Sequence, residues 1–236
     1  MTRPTLSTAM EATWPPAQTR RLGPWTIRDG QGGGKRVSAA TAEAGVGRQD
    51  IDHAEAAMRI LNQPRLFMIC EGDEKLDAQL DARGYAIIDP VVLYSVAVSD
   101  LTTKPIPPVS AFTIWQPLAI MADIWGAGGI GAARLAVMHR AKGPKTGVLA
   151  RHADQPAGAA FVAIHENTAM IHAIEVAPAH RRKGVGANIL RAAAHWAQDQ
   201  GAANLGLAVT RANAGANTLY ASLGMSVVGH YHYRIK

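Results

Sequence analysis

Three cations, Arg181, Arg182 and Lys183, stand directly ahead of Gly184 and Gly186 in the stretch HRRKGVGANIL. Like charges crowded together repel unless an anion sits among them. A helix opening at this point adds unpaired backbone N–H groups and the positive end of its dipole. Gly184 and Gly186 lack side chains, so a phosphate can approach the backbone. The arginine forks suit its outer oxygens. The chemistry this spacing offers is anion capture; the competing reading is a surface turn with solvated cations.

Other residues compete for a chemical role. The only cysteine, Cys70, ends the apolar run RLFMIC, where a buried inert thiol is expected rather than a nucleophile. One cysteine also excludes an internal disulfide framework and a CxxC metal site. GAGGIG at 126–131 matches the dinucleotide pattern GxGxxG, but a helical rather than strand periodicity precedes it. It reads as a joint between two helices, and a nicotinamide oxidoreductase is set aside with it. His230 and His232 share one face of a closing strand with no third ligand in view, so no metal is expected. GQGGGKR lacks the Gly-Lys-Ser/Thr order of a nucleotide loop and reads as a hairpin tip.

These candidates need elements to position them. Residues 1–24 read as a loose arm with a short helix. WTIRD and RVSAAT read as strands bracketing the glycine cluster. DIDHAEAAMRIL is a helix capped by Asp50 or Asp52, RLFMIC a strand, DEKLDAQLDARG a helix closed by Gly84, and VVLYSVAV a strand. The Pro-dense stretch 99–110 is the expected linker. QPLAIMADIW and AARLAVMHRA then read as helices, the first with Leu118, Met121 and Trp125 on one face. Three antiparallel strands follow, broken at ADQP and HEN. A helix with Ile189, Ala193, Trp196 and Ala197 inward, the strand NLGLAVT, the helix NAGANTLYASLG and a closing strand complete an α/β chain.

Arg181-x-x-Gly184-x-Gly186, opening a helix after a strand ending IEVAP, resembles the acetyl-coenzyme A signature of the GCN5-related N-acetyltransferase (GNAT) family. VTRANAGANTLYASLGM carries the second half of that signature, with Val209, Asn213, Ala216, Leu219, Tyr220, Leu223 and Gly224 at the family spacing. The resemblance covers about residues 110–236. It implies a GNAT-like α/β (α+β) fold, with a mixed, mostly antiparallel central sheet flanked by helices. It implies acetyl-coenzyme A as co-substrate, no metal, and an amine acceptor on a small molecule or peptide. Backbone groups of Ile174, Glu175 and Val176 would pair with the pantetheine arm. Amides of Arg182, Lys183, Gly184, Val185, Gly186 and Ala187 would hold the pyrophosphate beside Arg181. Asn213 would touch the coenzyme, and Tyr220 would lie near its sulfur as general acid.

Amine acylation also needs a base, because removing a proton from an ammonium of pKa ~10.4 at pH 7 costs about 4–5 kcal/mol. Family members acting on protein N-termini carry a glutamate in the strand before the asparagine motif; this chain has Ala208 there. Glu175, directly or through water, is the replacement candidate. His172 falls on the opposite strand face by alternation and is expected to pack. Ala208 keeps a second reading open, a non-catalytic acyl-coenzyme A-binding sensor.

The sequence also echoes itself. GVG precedes a helix at 45–47 and at 184–186, and RGY at 83–85 and LGM at 223–225 each close a later helix. In the first copy Ala42, Asp73 and Leu80 stand where Arg181, Asn213 and Tyr220 stand in the second. This predicts a degenerate N-terminal half, 1–104, kept for packing, and an acetyl-coenzyme A-binding catalytic half, 105–236. A hydrophobic content of 48% with 18% charged residues describes an ordinary globular chain. The charge of +6 is spread out without aromatic interleaving, so no nucleic-acid partner is expected. No apolar run reaches ~18 residues, so no membrane partner is expected, and the N-terminus lacks a signal-peptide core, which predicts a cytoplasmic protein. Monomer and homodimer both stay open.

Overall fold

The computed structural model describes residues 3–43 and 47–236. In chain order it contains α1 (Arg3–Thr13), β1 (Gln18–Leu22), β2 (Trp25–Asp29), β3 (Thr41–Ala42), α2 (Arg48–Ile60), β4 (Leu66–Cys70), α3 (Glu74–Ala82), β5 (Ala86–Ala97) and α4 (Val98–Thr102). There follow β6 (Ala111–Ile114), α5 (Ala119–Ala127), α6 (Ala132–Arg140), β7 (Lys145–His152), β8 (Gln155–His165), β9 (Thr168–Val176), α7 (Val185–Asp199), β10 (Asn204–Thr210), α8 (Ala214–Ser222) and β11 (Ser226–Ile235). The mixed α/β architecture expected from the sequence is present, with an eight-stranded sheet ordered β4-β11-β5-β10-β9-β8-β7-β6 and a small sheet β1-β2-β3. Named pairings in the large sheet are antiparallel except β9 with β10.

The amphipathic face of α7 lies on the sheet through Ile189, Leu190, Ala193 and Ala197, against Val148, Ala160, Val162 and Ile171. Alanines on both sides of this contact let helix and sheet approach closely. On the opposite face Met121 and Trp125 of α5 and Val137 and Met138 of α6 pack with Trp14 and Phe161. A third cluster joins Leu6, Ala9 and Met10 of α1 to Met68, Leu93, Met170, Tyr231 and Tyr233, so the first helix covers a seam built from both halves of the sequence.

That seam has an order no local pattern announces. Helices α3 and α8 are each nine residues long and begin 140 positions apart, at Glu74 and Ala214. The pairing Tyr231↔Cys70 between β11 and β4 recurs, under the same offset, as Thr210↔Val91 between β10 and β5. β5 lies between β10 and β11, while β11 lies between β5 and β4. Each half thus lends its last strand to the other.

Several expectations need correction. The N-terminal arm is not loose, because α1 buries Leu6, Ala9 and Met10. RVSAAT is no continuous strand. A tight turn at Lys35–Val37, closed by the Ser38 hydroxyl donating to the Gly34 carbonyl at 3.0 Å, leaves only Thr41 and Ala42 extended. The supposed linker begins as α4, whose Leu101 is buried. Leu118 precedes α5 rather than joining its buried face and is exposed. Cys70 is half-buried rather than sealed in the core. The GVG echo at 45–47 lies mostly outside the described residues. α2 starts at Arg48, ahead of both expected caps: Gly47 is the N-cap residue, and Asp50 inside the first turn accepts from its N–H at 2.8 Å.

Candidate functional site

Gly184 sits at φ 80°, the left-handed region that glycine reaches without steric cost, and α7 starts immediately after it. The first intrahelical bond runs from Asn188 N–H to Gly184 O. The N–H groups of Val185, Gly186 and Ala187 therefore precede the helical ladder and have no acceptor within it. They edge a cavity of about 620 Å³ that Arg181, Arg182, Asn213 and Tyr220 also line. Two sequence expectations change here. The missing side chain of Gly186 admits Leu219 of α8, since a Cβ there would lie 2.8 Å from Leu219 Cδ2. Arg181 folds back on β9, its Nε donating to Val176 O at 3.0 Å and its fork pairing with Glu175 at 3.2 Å. That leaves Arg182 as the free arginine at the turn, with Lys183 exposed and outside the cavity lining.

β9 and β10 open this space between them. Their parallel pairing runs only from Asn204↔Thr168 to Gly206↔Met170. Past that point β9 stays with β8 but slips register, with Ala173 at φ 50° and its carbonyl held by Trp125 Nε1 at 2.8 Å. From Ile174 to Val176 β9 has no strand partner on the β10 side, and Arg181 Nε takes the Val176 carbonyl. Asn213 caps α8 by accepting from the Ala216 N–H at 3.1 Å, which orients the second wall. Tyr220 is buried at the apex against Tyr94 of β5, ring centroids 5.7 Å apart. Burial, then the neighbouring Tyr94, pushes its phenol up to about 12, so it holds its proton at neutral pH.

A second cavity, about 320 Å³, meets the first at Ile174, Asn213 and Tyr220. Its far wall comes from the first half of the chain: Trp14, Gly33 to Arg36, Asp89 and Val91. Arg36 NH1 lies 3.1 Å from His172 Nδ1, and His172 Nε2 lies 2.8 Å from Thr13 Oγ1. A guanidinium only donates, so Nδ1 accepts and the ring proton sits on Nε2. Thr13 passes the chain on to Ala9 O at 2.6 Å. Burial, then the charge of Arg36, holds His172 well below the usual imidazole range, so it is neutral and its lone pair is spent. It packs, as alternation predicted, but as the holder of a guanidinium. Tyr231 and Tyr233 also make hydrogen-bonding contact with Arg36, while its Nε is shielded from water and has no partner. An orphaned buried donor costs about 1–3 kcal/mol.

A sequence model of the "Acetyltransferase (GNAT) family" matches residues 120–225. That span holds both the glycine turn and the Tyr220 helix. Residues 120–225 belong to the GNAT acetyltransferase family. The chain is 26% identical over 235 residues, 95% of either protein, to "Uncharacterized N-acetyltransferase YobR" of Bacillus subtilis (strain 168). A segment of 59 residues, 25% of this chain and 31% of the relative, is 46% identical to "Streptothricin acetyltransferase" of Streptomyces lavendulae. Among solved structures, a "GCN5-related N-acetyltransferase from Kribbella flavida" superposes with a TM-score of 0.71 at 20% identity, covering 98% of this chain and 94% of that one. A "Tandem GNAT protein from the clavulanic acid biosynthesis pathway" gives 0.63 at 15% identity, covering 96% and 86%. These two likenesses concern the fold.

Around the matched segment the positions singled out from the sequence come together unevenly. Ile174, Glu175, Val176, Arg181, Arg182, Gly184 to Ala187, Asn213 and Tyr220 line one cavity. Glu175 faces that larger cavity beside Gly128, not the smaller one. Ile130 of GAGGIG and Ala208 line the smaller one. His232 is engaged by Asp77 at 2.8 Å, and no metal-holding group of three His, Cys, Asp or Glu occurs among the described residues. No helix among the described residues is long and apolar enough to cross a membrane. The residues missed were Lys35, Arg36, Asp89, Tyr231 and Tyr233. The faint signals for them were a Lys-Arg pair ending a glycine run and the period-two tyrosines in YHY.

Proposed function

We propose that this chain transfers an acetyl group from acetyl-coenzyme A to an amine of a small molecule or peptide by direct attack in a ternary complex. The observation that carries this reading is the meeting of two cavities at Tyr220, one edged by unpaired amides and the other reaching into the first half of the chain. Acetyl-coenzyme A would supply the activated thioester, with its phosphates at the amides of residues 182–187 and its arm along Ile174–Val176. The strand edge without a partner on the β10 side, the left-handed Gly184 and the exposed Arg182 fit that ligand. Tyr220, protonated and buried, serves as general acid toward the departing sulfur. Glu175, tethered by Arg181 on the coenzyme side, serves as base through water at the shared rim.

Residues 105–236 then form the catalytic half, and residues 1–104 a degenerate copy that has kept its shape. The shared offset of α3 with α8 and of the strand registers supports a duplication. Asp73 and Leu80 in place of Asn213 and Tyr220 support loss of the coenzyme grip. Ala208, lining the smaller cavity where family members acting on protein N-termini carry a glutamate, favours one alternative, a non-catalytic acyl-coenzyme A-binding module. Thiol release from acetyl-coenzyme A across a panel of amino acids, amines and peptides, with calorimetry of coenzyme binding, decides. Binding with turnover establishes the enzyme, binding without turnover on any amine establishes the sensor, and no binding removes both.

A further inference from the structure

We infer that the acceptor is a small amino acid-like molecule whose carboxylate is bound by Arg36 in the smaller cavity while its amine reaches the rim at Ile174 and Tyr220. The inference rests on the acetyltransferase reading for the amine, but its anion site stands on separate observations.

The first is charge. Asp89 is the one carboxylate among the described residues lining this cavity, and Lys35 already pairs with it at 2.8 Å. That leaves Arg36, together with Arg134 along Gly34, uncompensated; the charged and polar groups acting on Arg36 are tyrosines and a neutral imidazole. A pocket with two unpaired guanidiniums repels polyamines and other polycations and attracts an anion.

The second is how Arg36 is held. Thr13, His172, Tyr231 and Tyr233 come from three elements distant in sequence, and they fix the guanidinium from behind. His172 receives one of the five guanidinium N–H groups with its only lone pair; the Nε–H is sealed from water, so a ligand would meet terminal N–H groups where Arg36 lines the cavity. A guanidinium pre-oriented in this way, with donors left over, suits a carboxylate. His172 is a positioning residue in this scheme.

The third is reach. His172 and Ile174 lie two residues apart on β9, at most about 6–7 Å in extended strand and less across the left-handed Ala173. An amine and a carboxylate separated by one to three carbons, plus one hydrogen bond to the guanidinium, cover about that distance. Nearby guanidiniums also disfavour an ammonium, lowering the pKa of the acceptor amine in the direction that acylation requires.

The test compares amino acids with their decarboxylated amines (leucine with isoamylamine, phenylalanine with phenethylamine, β-alanine with ethylamine). Two readouts are used: thiol release, and tryptophan fluorescence, which Trp14 in the cavity wall makes sensitive to binding without turnover. Wild type should favour the carboxylate member of at least one pair by about 100-fold in kcat/KM or in affinity. Arg36→Met should collapse that ratio chiefly through KM, and Arg36→Lys should restore part of it. Should Arg36→Met fail to fold, the wild-type pair ratio still decides. Amines favoured equally or better across the pairs would overturn the carboxylate site and leave the acetyltransferase reading intact. Carboxylate-selective binding without thiol release would support the site and remove the enzyme.

Discussion

Tyr220 carries the chemical claim with a single oxygen. Its ring is packed against Tyr94, so Tyr220→Phe removes the donor and leaves the packing. Coenzyme affinity should change little, while kcat falls by about 10- to 1,000-fold, because the hydrogen bond strengthens only as charge develops on sulfur. Steady-state kinetics on a good acceptor check this, and an unchanged kcat would exclude the leaving-group role. Gly184 gives the complementary test for binding. A Cβ at this position meets nothing within 4 Å, and aspartate tolerates left-handed backbone, so Gly184→Asp adds chiefly a negative charge to the proposed anion site. Calorimetry should show coenzyme A binding lost with the melting temperature nearly retained. The sequence exposed both residues because each is tied to its neighbours: the glycine to the helix it opens, the tyrosine to the asparagine about two helix turns before it. Arg36 stayed hidden because its partners His172 and Tyr231 lie 136 and nearly 200 residues away, and only folding brings them to one guanidinium, with Thr13 behind the imidazole.

Individual helices and strands were largely legible, since 3.6- and 2-residue periods are local, and α3, α7, α8 and β11 form where those periods place them. Partner choice was not, and the exchange of β5 and β11 has an energetic signature. Arg234 near the end of β11 is buried and donates to Asp77 at 2.7 Å and Asp81 at 2.7 Å, both on α3 in the other half. Its fork also donates to Tyr85 O at 2.8 Å. Hydrogen bonding from Arg234, reinforced by His232, holds the Asp77 carboxyl below its ordinary value of 3.8. A carboxylate depressed in the folded state contributes stability that is fully present above its unfolded pKa and is lost as pH falls through the folded one. Wild type should therefore lose stability progressively below about pH 4 through this group. Asp77→Asn should cost about 1–3 kcal/mol at pH 7, less than a severed isolated pair because Asp81 and Tyr85 remain, and its penalty should shrink toward pH 2. Urea melts at several pH values check both parts; a penalty independent of pH would show that the carboxylate charge contributes nothing.

At the scale of the molecule the two halves of the sequence share one eight-stranded sheet. β5 supplies β10 with its partner from Asn204↔Ala97 to Thr210↔Val91, and supplies β11 along most of its length. Val92, Tyr94 and Val96 from that strand enter the core formed with α7 and α8, and Tyr94 packs on Tyr220. A fragment of residues 105–236 keeps every signature residue of the family yet exposes both edges where β5 lay and the apolar face it covered. Unpaired strand edges and a breached core of this size exceed what a domain's small net stability tolerates. The isolated fragment should show no cooperative thermal transition and no coenzyme A binding. Co-expression with residues 1–104 should restore both, because the missing strand then returns from a separate chain. By the same reasoning, a full-length protein cut once between residues 104 and 108, where the backbone lies outside helix and strand, should elute from gel filtration as a single species of unchanged size. An isolated 105–236 fragment that melts cooperatively and binds coenzyme A at wild-type affinity would show that the exchanged strand is dispensable, and with it the first half of the chain.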